Sequence, residues 1–244
     1  MKTTPRIRAA LCLALACAAS ALAQGSDAQQ GASQPWMQFE KELGLQSTYS
    51  VDMAMQSMGM NVNAHLVRDG GKTRTEMTMP FMNLQMVMLE IPEGGKPVSY
   101  SLFPEKKKYV RDETGADVGE FSMPQIEELG TETFEGEACA KRRVTMVAQG
   151  SRSDMVMLFS PKQKNMPVKM TATSTMPSVA GSPAMPVQST ILFRNYDFSA
   201  PAAGLFAVPA DYVQAASMQE IMMESMPDLG ALMQQMQQQM PAAE

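Results

Sequence analysis

From Thr48 to Tyr196 most of the chain alternates apolar and polar positions with a period of two, the pattern of strands buried on one face. In the first stretch Tyr49, Val51, Met53 and Met55 fall on one side, and Thr48, Ser50, Asp52 and Gln56 on the other. Strands are expected over 61–68 and 72–79, joined by the hairpin signal Asp69-Gly70-Gly71. Leu84 to Ile91 is apolar at nearly every position, so that strand should be covered on both faces. Pro92-Glu93-Gly94-Gly95 turns the chain into a pair over 98–103 and 107–111. Gly115, Gly119 and Pro124 then interrupt the pattern, and Pro124 to Glu128 allows one helical turn or two. Strands resume at Leu129 and continue over 138–147, 153–160, 168–175 and 187–196, with a Ser-, Gly-, Ala- and Pro-rich loop over 177–186. Hairpin follows hairpin with no helix between parallel strands, which predicts a mainly β fold built on a single, strongly curved antiparallel sheet.

Helical patterning is confined to the two ends. Ser33 can cap a short helix that has Pro35 in its first turn, Trp36, Phe39 and Leu43 on one face and Gly44 after it. Past Tyr212 the composition changes to Met, Gln and Glu, with Met218, Met222 and Met226 on one helical face and Met233, Met236 and Met240 on another. The division predicted is a signal peptide over 1–23, a flexible linker over 24–34, a β domain over 35–212 and a Met/Gln-rich amphipathic helical tail over 213–244. Two short amphipathic helices, or a tail that orders only on a protein partner, both fit.

The first 23 residues have the shape of a cleavable secretory signal: Lys2, Arg6 and Arg8, an apolar run over 9–19, and Ala21-Leu22-Ala23 before Gln24. The run is too short to span a bilayer, and Cys17 lacks the leucine three places upstream that lipidation would want. Export to the periplasm is expected, with the extracellular space as the other destination. The 221 residues that remain carry 17 basic and 25 acidic side chains, a net charge of about −8 that argues against nucleic acid. Cys139 is then the one cysteine left, either a small buried residue or a thiol open to an intermolecular disulfide.

Five strings along the meander resemble the LolA-like lipoprotein-carrier superfamily, and more closely its relatives of unassigned function. They are Gly71 to Glu76, Tyr100 to Tyr109, Gly130 to Cys139, Met166 to Met170 and Leu205 to Tyr212. The resemblance covers about residues 36 to 212. It implies an open half-barrel whose concave apolar face is covered by helices and receives acyl chains or other hydrophobic molecules. It also implies an arginine on an early strand that ties down the lid, and Arg74 falls where that residue would. The methionine content and the Met-Gln tail depart from the family's pattern.

Twenty-five methionines follow the signal, and five pairs are spaced by two: Met53 and Met55, Met58 and Met60, Met77 and Met79, Met86 and Met88, Met155 and Met157. In a strand that spacing places both side chains on one face. Three uses remain open. Met can fill a core in place of Leu or Ile. It can line a deformable pocket for a hydrophobic ligand, with Met53, Met55, Met77, Met79, Met86, Met88, Arg74 and Trp36 as the lining residues. It can also bind copper(I), with Met58, Met60 and the lone His65 as candidate ligands; exposed methionines would alternatively serve as an oxidant sink. No Gly-x-Ser-x-Gly, His-Glu-x-x-His, Cys-x-x-Cys or phosphate-cradling glycine loop occurs, so a non-enzymatic binding or carrier protein without a cofactor is expected.

Overall fold

The computed structural model describes residues 40–57, 59–79, 84–112, 124–148, 151–176 and 185–225. They form one twelve-stranded sheet. Its strands are β1 (Thr48–Ser57), β2 (Met60–Asp69), β3 (Lys72–Met79), β4 (Leu84–Glu93), β5 (Lys96–Phe103), β6 (Lys108–Asp112), β7 (Gln125–Phe134), β8 (Glu137–Ala148), β9 (Ser151–Ser160), β10 (Met166–Met176), β11 (Met185–Asp197) and β12 (Val213–Gln214). The spatial order is β12-β6-β5-β4-β3-β2-β1-β11-β10-β9-β8-β7. Two meanders therefore meet at β1 and β11, and every pairing is antiparallel except β12 on β6.

Chain connectivity requires this sheet to curl. Strands β6 and β7 stand ten places apart in the order, about 48 Å across if the sheet were flat. Residues 113–124 join them, and a chain that short reaches about 45 Å when fully taut. Bulges between Ser50 and Asp52, Glu128 and Thr131, and Pro167 and Lys169 add local bend and twist. At the second bulge Gly130 has φ +86°, a conformation that L side chains rarely adopt.

The two faces differ in what covers them. On the inner face a buried cluster runs from Val51, Met53, Ala64 and Leu66 across Ile191 and Phe193 to Met170, Met157, Met155 and Val144, with Leu43 of helix α1 (Glu40–Leu43) packed on it. A second inner cluster joins Leu84, Met86 and Phe103 to Ala215 and Ile221, the latter on helix α2 (Met218–Ser225). The outer face of β4 and β5 carries Val87, Leu89, Val98, Tyr100 and Leu102 under Val208 and Tyr212. β4 is thus buried on both faces, as its unbroken apolar run predicts.

One segment supplies both covers. Residues 203–212 lie on the outer face, held by Phe206 and by Arg74, whose Nη1 donates to the Leu205 carbonyl at 2.9 Å. Val213 and Gln214 then pair along β6, and the chain continues on the inner face as α2. There Lys108 Nζ lies 2.6 Å from Glu224 and 3.4 Å from Glu220, and Lys106 lies 3.8 Å from Glu224. α2 is held there by the buried Ile221 and by these lysines.

Two sequence expectations need correction. Pro124 to Glu128 is not a helical turn: β7 begins at Gln125, because Ile126, Glu127 and Glu128 pair with Val144, Arg143 and Arg142 of β8. The stretch from 213 is not a tail apart from the domain as far as Ser225, since β12 and α2 are built into the sheet. The loop over 177–186 lies largely outside the described residues, as do Trp36, Phe39 and everything beyond Ser225.

Met157 is fully buried in the larger cluster, so Met157→Ala should cost about 2–5 kcal/mol in urea unfolding with an unchanged denaturant slope. The α2 latch should be sensitive to charge. The Lys108 ammonium holds the Glu224 carboxyl below its ordinary value of 4.5. A lowered carboxylate value means that the latch is fully present above about pH 4.5 and is lost as the pH falls through that lowered value. Hydrogen exchange at the α2 amides, corrected for intrinsic rates, should accelerate several-fold in acid, in molar salt and in Lys108→Glu at neutral pH, with the central strands unaffected.

Candidate functional site: the methionine face

Strand register assembles the paired methionines into rows. Met53 stands opposite Ala64, Ala64 opposite Met77 and Met77 opposite Met86, across four adjacent strands. The flanking row on one side is Val51, Leu66, Thr75 and Met88; on the other side Met55 faces Val62, and Met79 faces Leu84. All of these positions belong to the inner face. Met53 and Met86 are buried, whereas Met55, Met77 and Met88 are half-buried. Met77 packs against both inner clusters and so marks the seam between them. Met155 and Met157 share the face but lie deep in the larger cluster, so that pair is core.

Thioethers at a seam of this kind have a physical use. Met is unbranched and flexible, and three half-buried methionines can repack around an inserted apolar body at little rotamer cost. A β-branched side chain, restricted at its first torsion, cannot.

Helix α1 closes one end of the face through Arg68. Its Nε donates to Glu40 of α1, and its Nη1 donates to the Thr73 hydroxyl at 2.7 Å. Arg142 reinforces the same end, donating to the Leu43 carbonyl at 3.3 Å and stacking 4.7 Å above the Phe159 ring. Sequence reasoning assigned the tethering arginine to Arg74, but Arg74 points outward, to Glu76 at 2.7 Å and to the Leu205 carbonyl. The reason is parity. In β2 the even positions Ala64 and Leu66 face inward and Arg68 continues their phase, whereas Arg74 pairs with the outward Val67. That phase was available in the sequence and would have identified Arg68. Arg74 therefore pins the 203–206 turn and does not meet the methionines.

The copper alternative is divided by the same parity. Met60 and His65 lie five positions apart, an odd offset, and so project from opposite faces of β2, about 16 Å apart along the strand. Met58 lies outside the described residues, and His65 Nδ1 is 2.7 Å from Asp52 on the outer face. Among the described residues no group of three or more His, Cys, Asp or Glu side chains could hold a metal.

The outer face has its own depression of about 530 Å³, centred on a polar row in which Arg194, Asp52, His65 and Glu76 are successive cross-strand partners. Its charges are already satisfied within the protein: Asp52 by His65 and by Asn195 at 2.8 Å, Arg194 by Glu135, Glu76 by Arg74. Cys139 is buried and free on β8. Burial pushes its thiol up, which favours the inert protonated form over a reactive thiolate.

Among the described residues no helix is long and apolar enough to cross a membrane. No family model matches the chain. No curated protein matches it either. Solved structures similar to it include PNGF-II (13% identity, TM-score 0.38, covering 74% of this chain and 34% of that one). They also include an outer membrane lipoprotein-sorting protein domain from Vibrio parahaemolyticus (12% identity, TM-score 0.31, 67% and 91%) and MucB (11% identity, TM-score 0.35, 76% and 64%). The chain thus spans about a third of the length of PNGF-II and about two thirds of MucB.

Proposed function

We propose that this chain is an exported, periplasmic, non-enzymatic binding or carrier protein that holds a hydrophobic ligand, a lipid or acyl chain, against the methionine face of its curved sheet. The observation that carries the reading is the seam. Met77 is half-buried between the two clusters, with Met55 half-buried against the larger and Met88 against the second, on the face that two separately tethered helices border. A face meant only as core would be sealed there. The signal-like first 23 residues support export, and the absence from the sequence of the common nucleophile, zinc and phosphate motifs supports binding rather than catalysis.

Protein purified without detergent should release acyl lipid on mass spectrometry, and delipidated protein should bind a fluorescent acyl probe. Met77→Gln places a polar amide of similar length at the seam. It should weaken probe binding by about tenfold, while Gln85→Ser on the outer face should leave binding unchanged. No co-purifying lipid together with no probe binding would eliminate the proposal.

A further inference from the structure

The inner face is graded along its strands. One end begins with a polar row, in which Tyr49, Arg68, Thr73, Glu90 and Ser99 are successive cross-strand partners. The next row holds Val51, Leu66, Thr75 and Met88, and the row beyond it Met53, Ala64, Met77 and Met86. Polarity falls to thioether within about 13 Å, two steps of the pleat. That gradient suits a molecule with one polar end and one apolar end.

At the polar end a hydrogen bond is missing. Tyr49 is 1% exposed, and among the described residues its hydroxyl has no partner. A buried hydroxyl with nothing to donate to is costly, and native proteins seldom keep one without use. Tyr196, whose ring lies 5.9 Å away, shows the ordinary solution by donating to the Pro167 carbonyl at 2.6 Å. Both Arg68 and Glu40 lie close enough to act electrostatically on the Tyr49 hydroxyl, the first favouring its ionised form and the second opposing it, while burial keeps it a protonated donor.

Beside it stands an ion pair that is nearly buried: the Arg68 and Glu40 side chains are 11% and 15% exposed. Glu40 belongs to α1, which is held on the sheet by this pair and by the buried Leu43. The carboxylate facing Arg68 is therefore on a covering helix and not on the sheet itself.

Resting on the carrier reading above, we propose that Arg68 and the Tyr49 hydroxyl form a head-group site for the carboxylate of a single-chain fatty acid, and that Glu40 occupies this site in the ligand-free protein. The tail then lies over Thr75, Met88 and Met77. Binding exchanges one carboxylate for another on the guanidinium, whose planar fork suits either. The incoming one also accepts the Tyr49 proton donor that Glu40 leaves unused.

The test uses the full chain with palmitate and methyl palmitate, which share a tail and differ in charge at the head. Wild type should bind palmitate about tenfold more tightly than the ester, the scale of a hydrogen bond to a charged group. Tyr49→Phe should lose about that factor for palmitate and none for the ester, while unfolding at the same or a higher urea concentration. Glu40→Gln should bind palmitate several-fold more tightly, because the resident competitor is neutralised. Equal affinities of wild type for acid and ester, or an acid-to-ester ratio unmoved by Tyr49→Phe, would overturn the head-group site while leaving the carrier reading intact. Failure of wild type to bind either lipid would instead remove the carrier reading and this inference with it.

Discussion

The two-residue period of the pleat, locked in register by tight turns, is the constraint on which the other features depend. Gly70 and Gly71 close β2 onto β3 so that Asp69 meets Lys72 and Arg68 meets Thr73. Once that register is set, every side chain on both strands is committed to a face, and a slip of one residue would turn the methionines to water. The same rule separates Met60 from His65, places Arg68 inward and Arg74 outward, and brings methionines from β1, β3 and β4 onto one surface. Curvature acts on this arrangement. Bulges in β1, β7 and β10 bend the sheet whose inner face the register has made apolar.

Both helices described are fixed to the sheet's inner surface by side-chain contacts. Their anchors differ in kind. α1 depends on a nearly buried Arg–Glu pair and on Leu43, and α2 on partly exposed Lys–Glu pairs and on Ile221. Screening by salt reaches the second far more than the first, so the two ends of the methionine face respond to different conditions.

Much of this was legible in the sequence. Alternation and turn dipeptides located nearly all of the strands, and the continuous apolar run of β4 foretold two covered faces. What escaped had physical causes. The start of β7 was hidden because its residues are exposed and acidic, paired through Arg142, Arg143 and Lys141 rather than through apolar contact, and a strand without an apolar stripe has no period to detect. β12 is two residues long, below any pattern. The packing of α2 depends on lysines more than a hundred residues earlier in the chain. At the candidate site the methionine pairs were found directly, but Arg68 and Tyr49 were not. The use of an arginine depends on strand phase, and an unpaired hydroxyl exists only in three dimensions.

The two ends of the sheet are finished differently. β6 is capped by Val213 and Gln214 before the chain turns under it, whereas among the described residues nothing pairs with the far side of β7. Indefinite stacking of sheets requires each molecule to offer two free edges. At one end the outermost strand is only two residues long, which leaves little regular backbone to template further pairing. At the other end the bulge at Gly130 breaks the regular ladder along β7. A protein with an apolar inner face and a long open sheet thus presents a poor template at either end, in one case through a strand whose sequence is no more than Val-Gln.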